Sequence, residues 1–113
     1  MAKKYEIFFP EDIEFDMTPI GLQKYYMPGD IPVKKVLKLF ALDEKDKADS
    51  YQETIDLIIE LFSLRHEKKE LKKLKDNLGS AAVAQIVAAL YKQIGSAVGE
   101  IKNMKKAREK KQQ

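Results

Sequence analysis

Residues 27 to 46 read MPGDIPVKKVLKLFALDEKD, and this stretch predicts where the first helix begins and ends. Asp30 can accept hydrogen bonds from the free amides of a first helical turn. Pro32 stands where a helix start tolerates a missing N–H. The acidic run after Leu42 then favours an end to the helix. We therefore expect a helix over residues 31–42.

The apolar residues of this helix recur at intervals of three and four positions, which gathers them on one face. They are Val33, Val36, Leu37 and Phe40. Lys34, Lys35 and Lys38 fall toward water. Leu39 and Leu42 lie off the stripe, so at least one of them is expected to be surplus to the core and exposed. The helix is therefore amphipathic, with one apolar face.

The first 28 residues have the alternation of short strands. Tyr5, Ile7 and Phe9 form one alternating run, and Ile13 and Phe15 form a second. Residues 22–27, LQKYYM, favour a third strand. The same region also fits a short helix capped by Thr18 with Pro19 at its first position, and both interpretations stay open.

The rest of the chain predicts helices. A charged linker over residues 43–49 precedes Ser50 and Glu53, whose spacing is that of a capping box and predicts a helix over residues 50–76. Gly79 suits a left-handed helix end, and Ser80 suits the cap of a third helix over residues 80–101. A flexible basic tail over residues 102–113 follows.

These elements predict a fold that is mainly α with a small N-terminal β part, in the α+β class. A short β-hairpin or meander over residues 1–28 precedes a three-helix amphipathic bundle. Because the chain has 113 residues, it is expected to form a single domain over residues 1–101. Small residues such as Ala82 and Ala89 on the last helix favour close helix contacts, and a homo-oligomer is expected.

Composition limits the function. The chain has no Cys, so it has no disulfide framework and no thiolate metal site, as is usual in a reducing compartment. No stretch of 18 apolar residues occurs, and we expect a soluble intracellular protein without membrane contact. The net charge is +3, with an acidic front half and a basic back half. This pattern lacks a recognisable nucleic-acid reading element, so nucleic acid is not the expected partner.

Residues for catalysis are sparse. His66 is the only histidine, stands between Arg65 and Glu67, and is expected on a helix surface. The acidic run from Glu11 to Asp16 lacks the glycine and terminal glutamate of a calcium loop. We therefore expect no enzyme activity, no metal and no cofactor. Tyr25 and Tyr26 are expected to pack on a helix rather than to stack on nucleic-acid bases.

The motifs in this order resemble tail assembly chaperones of long-tailed, siphovirus-type bacteriophages. The resemblance covers roughly residues 22–95 and rests on YYMPGDIPVKKVLKLFALDEKD, QETIDLIIELFSL and NLGSAAVAQIVAALYKQIG. In that family a (L/M)P-x-D-(I/M)-P-V segment opens a helix and an acidic linker follows it. This chain departs from the commonest acidic members in its lysine-rich segment over residues 68–75 and in its basic tail.

The resemblance implies a non-enzymatic protein of the bacterial host cytoplasm. It would bind the phage tape-measure protein during tail morphogenesis and keep it soluble until tail-tube subunits assemble. The candidate partner-binding residues are Val33, Val36, Leu37, Leu39, Phe40, Leu42 and Leu61. For Leu39, Leu42 and Leu61, a client groove and self-packing, either in the chain's own core or in a homodimer, remain equally open. Alternative functions are a small basic nucleic-acid-binding protein and a structural head-tail adaptor.

The family also implies a second, longer product. Tail assembly chaperones are often made in two lengths, the longer one by a ribosomal frameshift near the end of the shorter frame. Lys105-Lys106 and Lys110-Lys111 can be encoded by runs of adenines, on which a ribosome slips. A plain solvated tail is the competing interpretation of residues 102–113.

Overall fold

The structure is a computed structural model. It describes the backbone of residues 2–7, 9–43 and 47–111, together with the side chains of these ranges up to residue 96 except residues 47–49. Strands β1 (Ile13–Asp16) and β2 (Lys24–Met27) precede the helices α1 (Val33–Asp43), α2 (Lys47–Phe62), α3 (Lys68–Asn77) and α4 (Ser80–Lys111). The α+β class with an N-terminal hairpin is confirmed. Residues up to Asn77 form one compact unit, and those from Leu78 form a second.

The two strands form an antiparallel hairpin in which Ile13 pairs with Met27. Their connection contains a 3-10 helix, Thr18–Ile20, that ends at Gly21 with a φ of 81°. This left-handed conformation favours glycine. Both interpretations of residues 18–27 are thus partly right, because a helical turn and a strand follow one another. The alternating residues 5–7 and 9 form no strand, so that part of the prediction is wrong; residue 8 lies outside the described residues.

Helix α2 is the centre of the first unit, since α1, β2 and α3 all pack against it. Its buried apolar side chains are Leu57, Ile58, Leu61 and Phe62. The Phe62 ring meets the rings of Phe15 and Tyr25 edge to face, at centroid distances of 5.6 and 5.7 Å. Such edge contacts add to the hydrophobic gain of burying the rings. The hairpin is therefore attached to α2 through aromatic side chains.

The helix expected over residues 50–76 is two helices in the structure, so the described residues contain four helices rather than three. Helix α2 ends at Phe62, whose carbonyl accepts hydrogen bonds from the Arg65 and His66 amides, each at 3.0 Å. The Glu67 amide donates to the Glu70 carboxylate at 3.2 Å, which caps the start of α3. No proline or glycine marks this corner. Tertiary contacts of Arg65 and His66, described below, favour the break over helix continuation.

Two predicted helix starts also differ from the structure. Helix α2 begins at Lys47, so Ser50 lies inside it and the capping-box prediction is wrong; residues 44–46 of the predicted linker lie outside the described residues. The Thr54 hydroxyl donates to the Ser50 carbonyl at 2.8 Å, a bond typical of a helix interior. Helix α1 begins at Val33 instead of residue 31, with the Pro32 carbonyl accepting the first amides.

Helix α4 begins at Ser80, as predicted, and the Val83 amide donates to the Gly79 carbonyl at 3.0 Å. Gly79 does not have the positive φ that was expected of it. The helix runs to Lys111, ten residues beyond the predicted end at residue 101. Lysine, arginine, glutamate, methionine and alanine all have favourable helix propensities, so a run of charges alone does not end a helix. Residues 112 and 113 lie outside the described residues.

Candidate partner-binding face

Helix α1 has a buried side that packs against α2. Its buried residues are Leu39 and Leu42, which are 5% and 4% exposed. Leu61 of α2 is also buried. At 100° per residue, Leu39 and Leu42 lie about 60° apart around the helix axis, which makes the buried side narrow. Two leucines are therefore the main apolar attachment of α1 to the first unit.

The opposite side of α1 is also apolar, and it faces solvent. Val33 is 72% exposed, Leu37 is 61% exposed and Phe40 is 44% exposed. Their spacing of four and three residues aligns them along one stripe roughly opposite Leu39 and Leu42. We call Val33, Leu37 and Phe40 the outer face of α1. Val36 is half-buried at its edge.

The expectation that Leu39 or Leu42 would be exposed is wrong, because both are buried. Leu61, which was left open between a client and the core, is buried as well, whereas Val33, Leu37 and Phe40 of the stripe are exposed. Periodicity identifies an apolar face but not what covers it. An exposed apolar stripe on a small protein is typical of an interaction surface. Of the seven candidate residues, those exposed at the surface are Val33, Leu37 and Phe40.

Charged groups beside the buried leucines add to the contact between α1 and α2. Lys35 donates to the Glu60 carboxylate of α2, and the Lys38 Nζ lies 3.8 Å from the same carboxylate. The hydrogen bond from Lys35 lowers the pKa of Glu60. Lys35 projects from α1 close to Leu42, so an ion pair to α2 keeps the leucine side inward and the outer face outward. Lys35 and Lys38 therefore do not simply point into water, as the sequence pattern suggested.

A second exposed apolar segment precedes the hairpin. The N-terminal arm, which we define as residues 2–7 and 9, has no regular secondary structure, and Tyr5, Ile7 and Phe9 are all more than half exposed. In the sequence, only the alternation of apolar and other residues marks this segment. The alternation correctly placed Tyr5, Ile7 and Phe9 in one apolar row, but it could not show that this row pairs with no other strand.

The arm leaves the folded unit at a well-fixed point. The Asp12 carboxylate accepts hydrogen bonds from Arg65 Nε and Nη2 at 2.8 and 3.2 Å. This bond lowers the pKa of Asp12 and raises that of Arg65. Beside it, a Cβ atom on the buried Gly29 would overlap the Glu11 carbonyl oxygen. The backbone at Glu11 therefore lies directly against Gly29, just ahead of α1.

His66 lies in the corner between α2 and α3 and not on a helix surface, which corrects the prediction. Its side chain is 7% exposed. The Tyr26 amide donates to His66 Nε2 at 2.8 Å, and His66 Nδ1 lies 3.5 Å from a Glu70 carboxylate oxygen. An imidazole that accepts at Nε2 carries its proton at Nδ1. His66 thus joins β2 to the start of α3.

The tyrosines of β2 confirm the packing prediction for Tyr25. Tyr25 is buried, and its hydroxyl donates to the Glu70 carbonyl at 3.0 Å. Burial, reinforced by the nearby Glu70 carboxylate, raises the pKa of Tyr25. Gln23 donates to that carboxylate and, with the Glu67 amide and His66, lowers the pKa of Glu70. The corner is a hydrogen-bonded structural site.

These paired carboxylates predict acid sensitivity. In the folded protein the pKa values of Asp12, Glu60 and Glu70 lie below their ordinary values of 3.8 and 4.5. Their stabilisation is therefore present above the ordinary values and is lost as pH falls through the lowered ones. We expect the thermal midpoint, followed by circular dichroism, to fall between pH 5 and about pH 3. Glu70→Gln should reduce the dependence of the thermal midpoint on pH. A wild-type midpoint that stays constant between pH 5 and about pH 3 contradicts the expectation.

The described residues contain neither a cluster of metal ligands nor a helix that could cross a membrane. No group of three or more His, Asp or Glu side chains there is arranged to hold a metal ion. No helix in the described ranges combines the length and the apolar character needed to cross a membrane. No protein-family model, curated protein or solved structure matches the chain.

Proposed function

We propose that this protein is a non-enzymatic tail assembly chaperone of a long-tailed bacteriophage that acts in the cytoplasm of the bacterial host. It binds the tape-measure protein and keeps it soluble until tail-tube subunits assemble. The outer face of α1 carries the proposal, because Val33, Leu37 and Phe40 are exposed on a folded unit. The resemblance of residues 22–95 supplies the identity of the client.

The outer face has the geometry of a site for another helix. Positions i, i+4 and i+7 of a helix are the usual anchors of helix-in-groove and helix-on-helix recognition. Lys34 and Asp43, both exposed, lie on opposite sides of the stripe. An amphipathic client helix with charges on both sides of its apolar stripe can match this arrangement. A long helical client such as a tape-measure protein presents many such stripes.

Leu37→Lys should abolish client binding and leave the fold intact. Leu37 is 61% exposed, so its replacement should change the free energy of unfolding by no more than about 0.5 kcal/mol. A lysine in the middle of the stripe must lose hydration when a client covers it, which opposes binding. The measurement is the soluble fraction of a tape-measure fragment from the same phage when it is co-expressed with each variant.

Ile20→Lys is the matched control. Ile20 is 50% exposed on the 3-10 helix between the strands, away from α1 in sequence and outside the outer face. Like Leu37→Lys, the Ile20→Lys substitution replaces an exposed aliphatic side chain of the first unit by lysine. We expect Ile20→Lys to solubilise the client as the wild type does. Equal solubilisation by Leu37→Lys and the wild type contradicts the proposal.

The alternative of nucleic-acid binding is supported by one surface. Helix α3 carries five exposed lysines, Lys68, Lys69, Lys72, Lys73 and Lys75. At helical spacing they occupy one broad side, interrupted by Asp76. Such a side can contact phosphates, in which case affinity falls steeply with added salt. Binding to a DNA or RNA duplex that disappears in Lys72→Glu but persists in Leu37→Lys favours this function over the chaperone.

A further inference from the structure

The imidazole of His66 accepts a hydrogen bond from the edge of the hairpin. The His66 side chain is 7% exposed, and the Tyr26 amide donates to Nε2 at 2.8 Å. Tyr26 lies on β2, and the sheet in the described residues has two strands, so β2 pairs with β1 on one side only. Amides on the other side of such a strand have no neighbouring strand to accept them. For the Tyr26 amide, Nε2 of His66 takes the place of a strand carbonyl.

This hydrogen bond requires a neutral imidazole. Nε2 accepts through the lone pair that a second proton would occupy, because both ring nitrogens of a protonated histidine are donors. A protonated Nε2 would direct one N–H at another, the amide of Tyr26. Two buried donors without an acceptor are costly. Protonation of His66 therefore requires Nε2 and the Tyr26 amide to separate.

The other ring nitrogen has a partner that favours the protonated ring. His66 Nδ1 lies 3.5 Å from a carboxylate oxygen of Glu70, and a carboxylate stabilises an imidazolium beside it. Hydrogen bonds from Gln23 and the Glu67 amide, together with His66, lower the pKa of Glu70, so its carboxylate stays ionised where imidazoles titrate. A protonated His66 thus keeps its contact with α3, and the contact with β2 is the one that breaks.

The aromatic rings around His66 carry no charge in this range. The Tyr25, Tyr26 and Phe62 rings have centroids 5.0, 6.1 and 6.3 Å from that of His66. Burial raises the pKa of Tyr25, and the hydrogen bond to Glu14 raises that of Tyr26. Both phenols therefore remain neutral as the pH falls.

The charged neighbours of His66 along the chain are Arg65 and Glu67, and both are exposed. Arg65 Nε donates to the Asp12 carboxylate at 2.8 Å, a bond that lowers the pKa of Asp12. These groups keep their charges where imidazoles titrate. A change of charge at this corner in that range therefore belongs to His66.

We propose that His66 is a pH switch whose protonation releases the Tyr26 amide and loosens β2 from the corner, while Glu70 retains the ring. The contact is present while His66 is neutral and is lost as the pH falls through the titration of the ring. The bond between the Tyr25 hydroxyl and the Glu70 carbonyl does not depend on the charge of His66, so the loosening is local. The switch does not involve the outer face of α1.

NMR spectroscopy of the full chain tests the switch, because His66 is the only histidine and its ring signals are unambiguous. As the pH is lowered from about 8 to about 5, where imidazoles titrate, Nε2 should change from unprotonated to protonated. The protection of the Tyr26 amide against hydrogen exchange should fall about tenfold, as expected for the loss of one hydrogen bond. The Ser63 amide, which donates to the Ile59 carbonyl at 2.9 Å, is the reference and should keep its protection.

Two variants separate the imidazole from its neighbours. His66→Gln offers an amide oxygen as acceptor but cannot be protonated, so the protection of the Tyr26 amide should no longer depend on pH. Tyr26→Phe keeps the backbone amide and removes the hydroxyl that binds Glu14, and it should behave as the wild type does.

Four results would overturn the proposal. They are a His66 ring that stays neutral down to about pH 5, a Tyr26 amide that stays protected when Nε2 gains its proton, a pH dependence that His66→Gln retains, and an equal loss of protection at Ser63, which would indicate unfolding of the whole unit. The wild-type measurement decides the proposal if His66→Gln does not fold.

Discussion

Leu39→Lys is expected to unfold the first unit. Leu39 is 5% exposed where α1 packs on α2, and truncating a buried leucine typically costs about 2–5 kcal/mol. The lysine ammonium would also have to be buried without a counter-ion or reach solvent by displacing the helix. We expect a loss of about 4 kcal/mol or more, which is a large part of a typical folding free energy. Urea unfolding followed by circular dichroism measures it.

The comparison with Leu37→Lys makes this result specific. The two positions lie two residues apart on one helix and receive the same substitution, so helix propensity changes equally in both. Only Leu39→Lys should lose cooperative unfolding, since Leu37 faces solvent. If Leu37→Lys is the more destabilising variant, α1 has the opposite rotation and the outer face is part of the core.

Gly29→Ala is expected to have the second largest effect. A Cβ atom at this buried position would overlap the Glu11 carbonyl oxygen and lie 3.0 Å from the Glu11 carbonyl carbon. Because the overlapping atoms belong to the backbone, no change of side-chain rotamer relieves the clash. The backbone at Glu11, which leads into β1, would have to move. We expect a loss of about 3 kcal/mol in the free energy of unfolding, at the upper end for overpacking. Thermal or urea unfolding checks this value.

Gly79→Ala provides the control for backbone entropy. Gly79 has no positive φ, and a Cβ atom there meets nothing within 4 Å. Removing a glycine from such a site restricts the unfolded chain and should leave stability unchanged or raise it by about 0.4–1 kcal/mol. Equal effects of the two substitutions would show that the Glu11 backbone does not lie against Gly29.

The sequence predicted the parts of the fold that depend on local patterns. The start of α4 at Ser80, the strand ending at Met27 and the existence of α1 follow from the break in pattern at Gly79, alternation and helical spacing. The corner at residues 63–67 could not be predicted, because it depends on distant partners. Arg65 donates hydrogen bonds to Asp12, and His66 accepts one from the Tyr26 amide. Asp12 and Tyr26 are both distant from this corner in the sequence.

The candidate site was predicted in composition but not in orientation. Spacing alone selected Val33, Leu37 and Phe40 as one face, and the structure keeps them together. It could not show that two leucines off the stripe would form the contact with α2. The Lys35–Glu60 pair, which joins residues 25 positions apart, accompanies this leucine contact and could not be predicted either. Exposure of the arm was missed for a similar reason, since alternation does not show whether a strand finds a neighbour.

The central claim is that the outer face of α1 is open in the free protein and covered by the client. Thiol labelling of Leu37→Cys tests it directly, with Ile20→Cys as the exposed reference, at concentrations where the free protein is monomeric. The account predicts that both thiols react at similar rates in the free protein, and that a bound tape-measure fragment protects only the one at position 37. A thiol at position 37 that is unreactive in the free protein, or equally reactive in the complex, would contradict it.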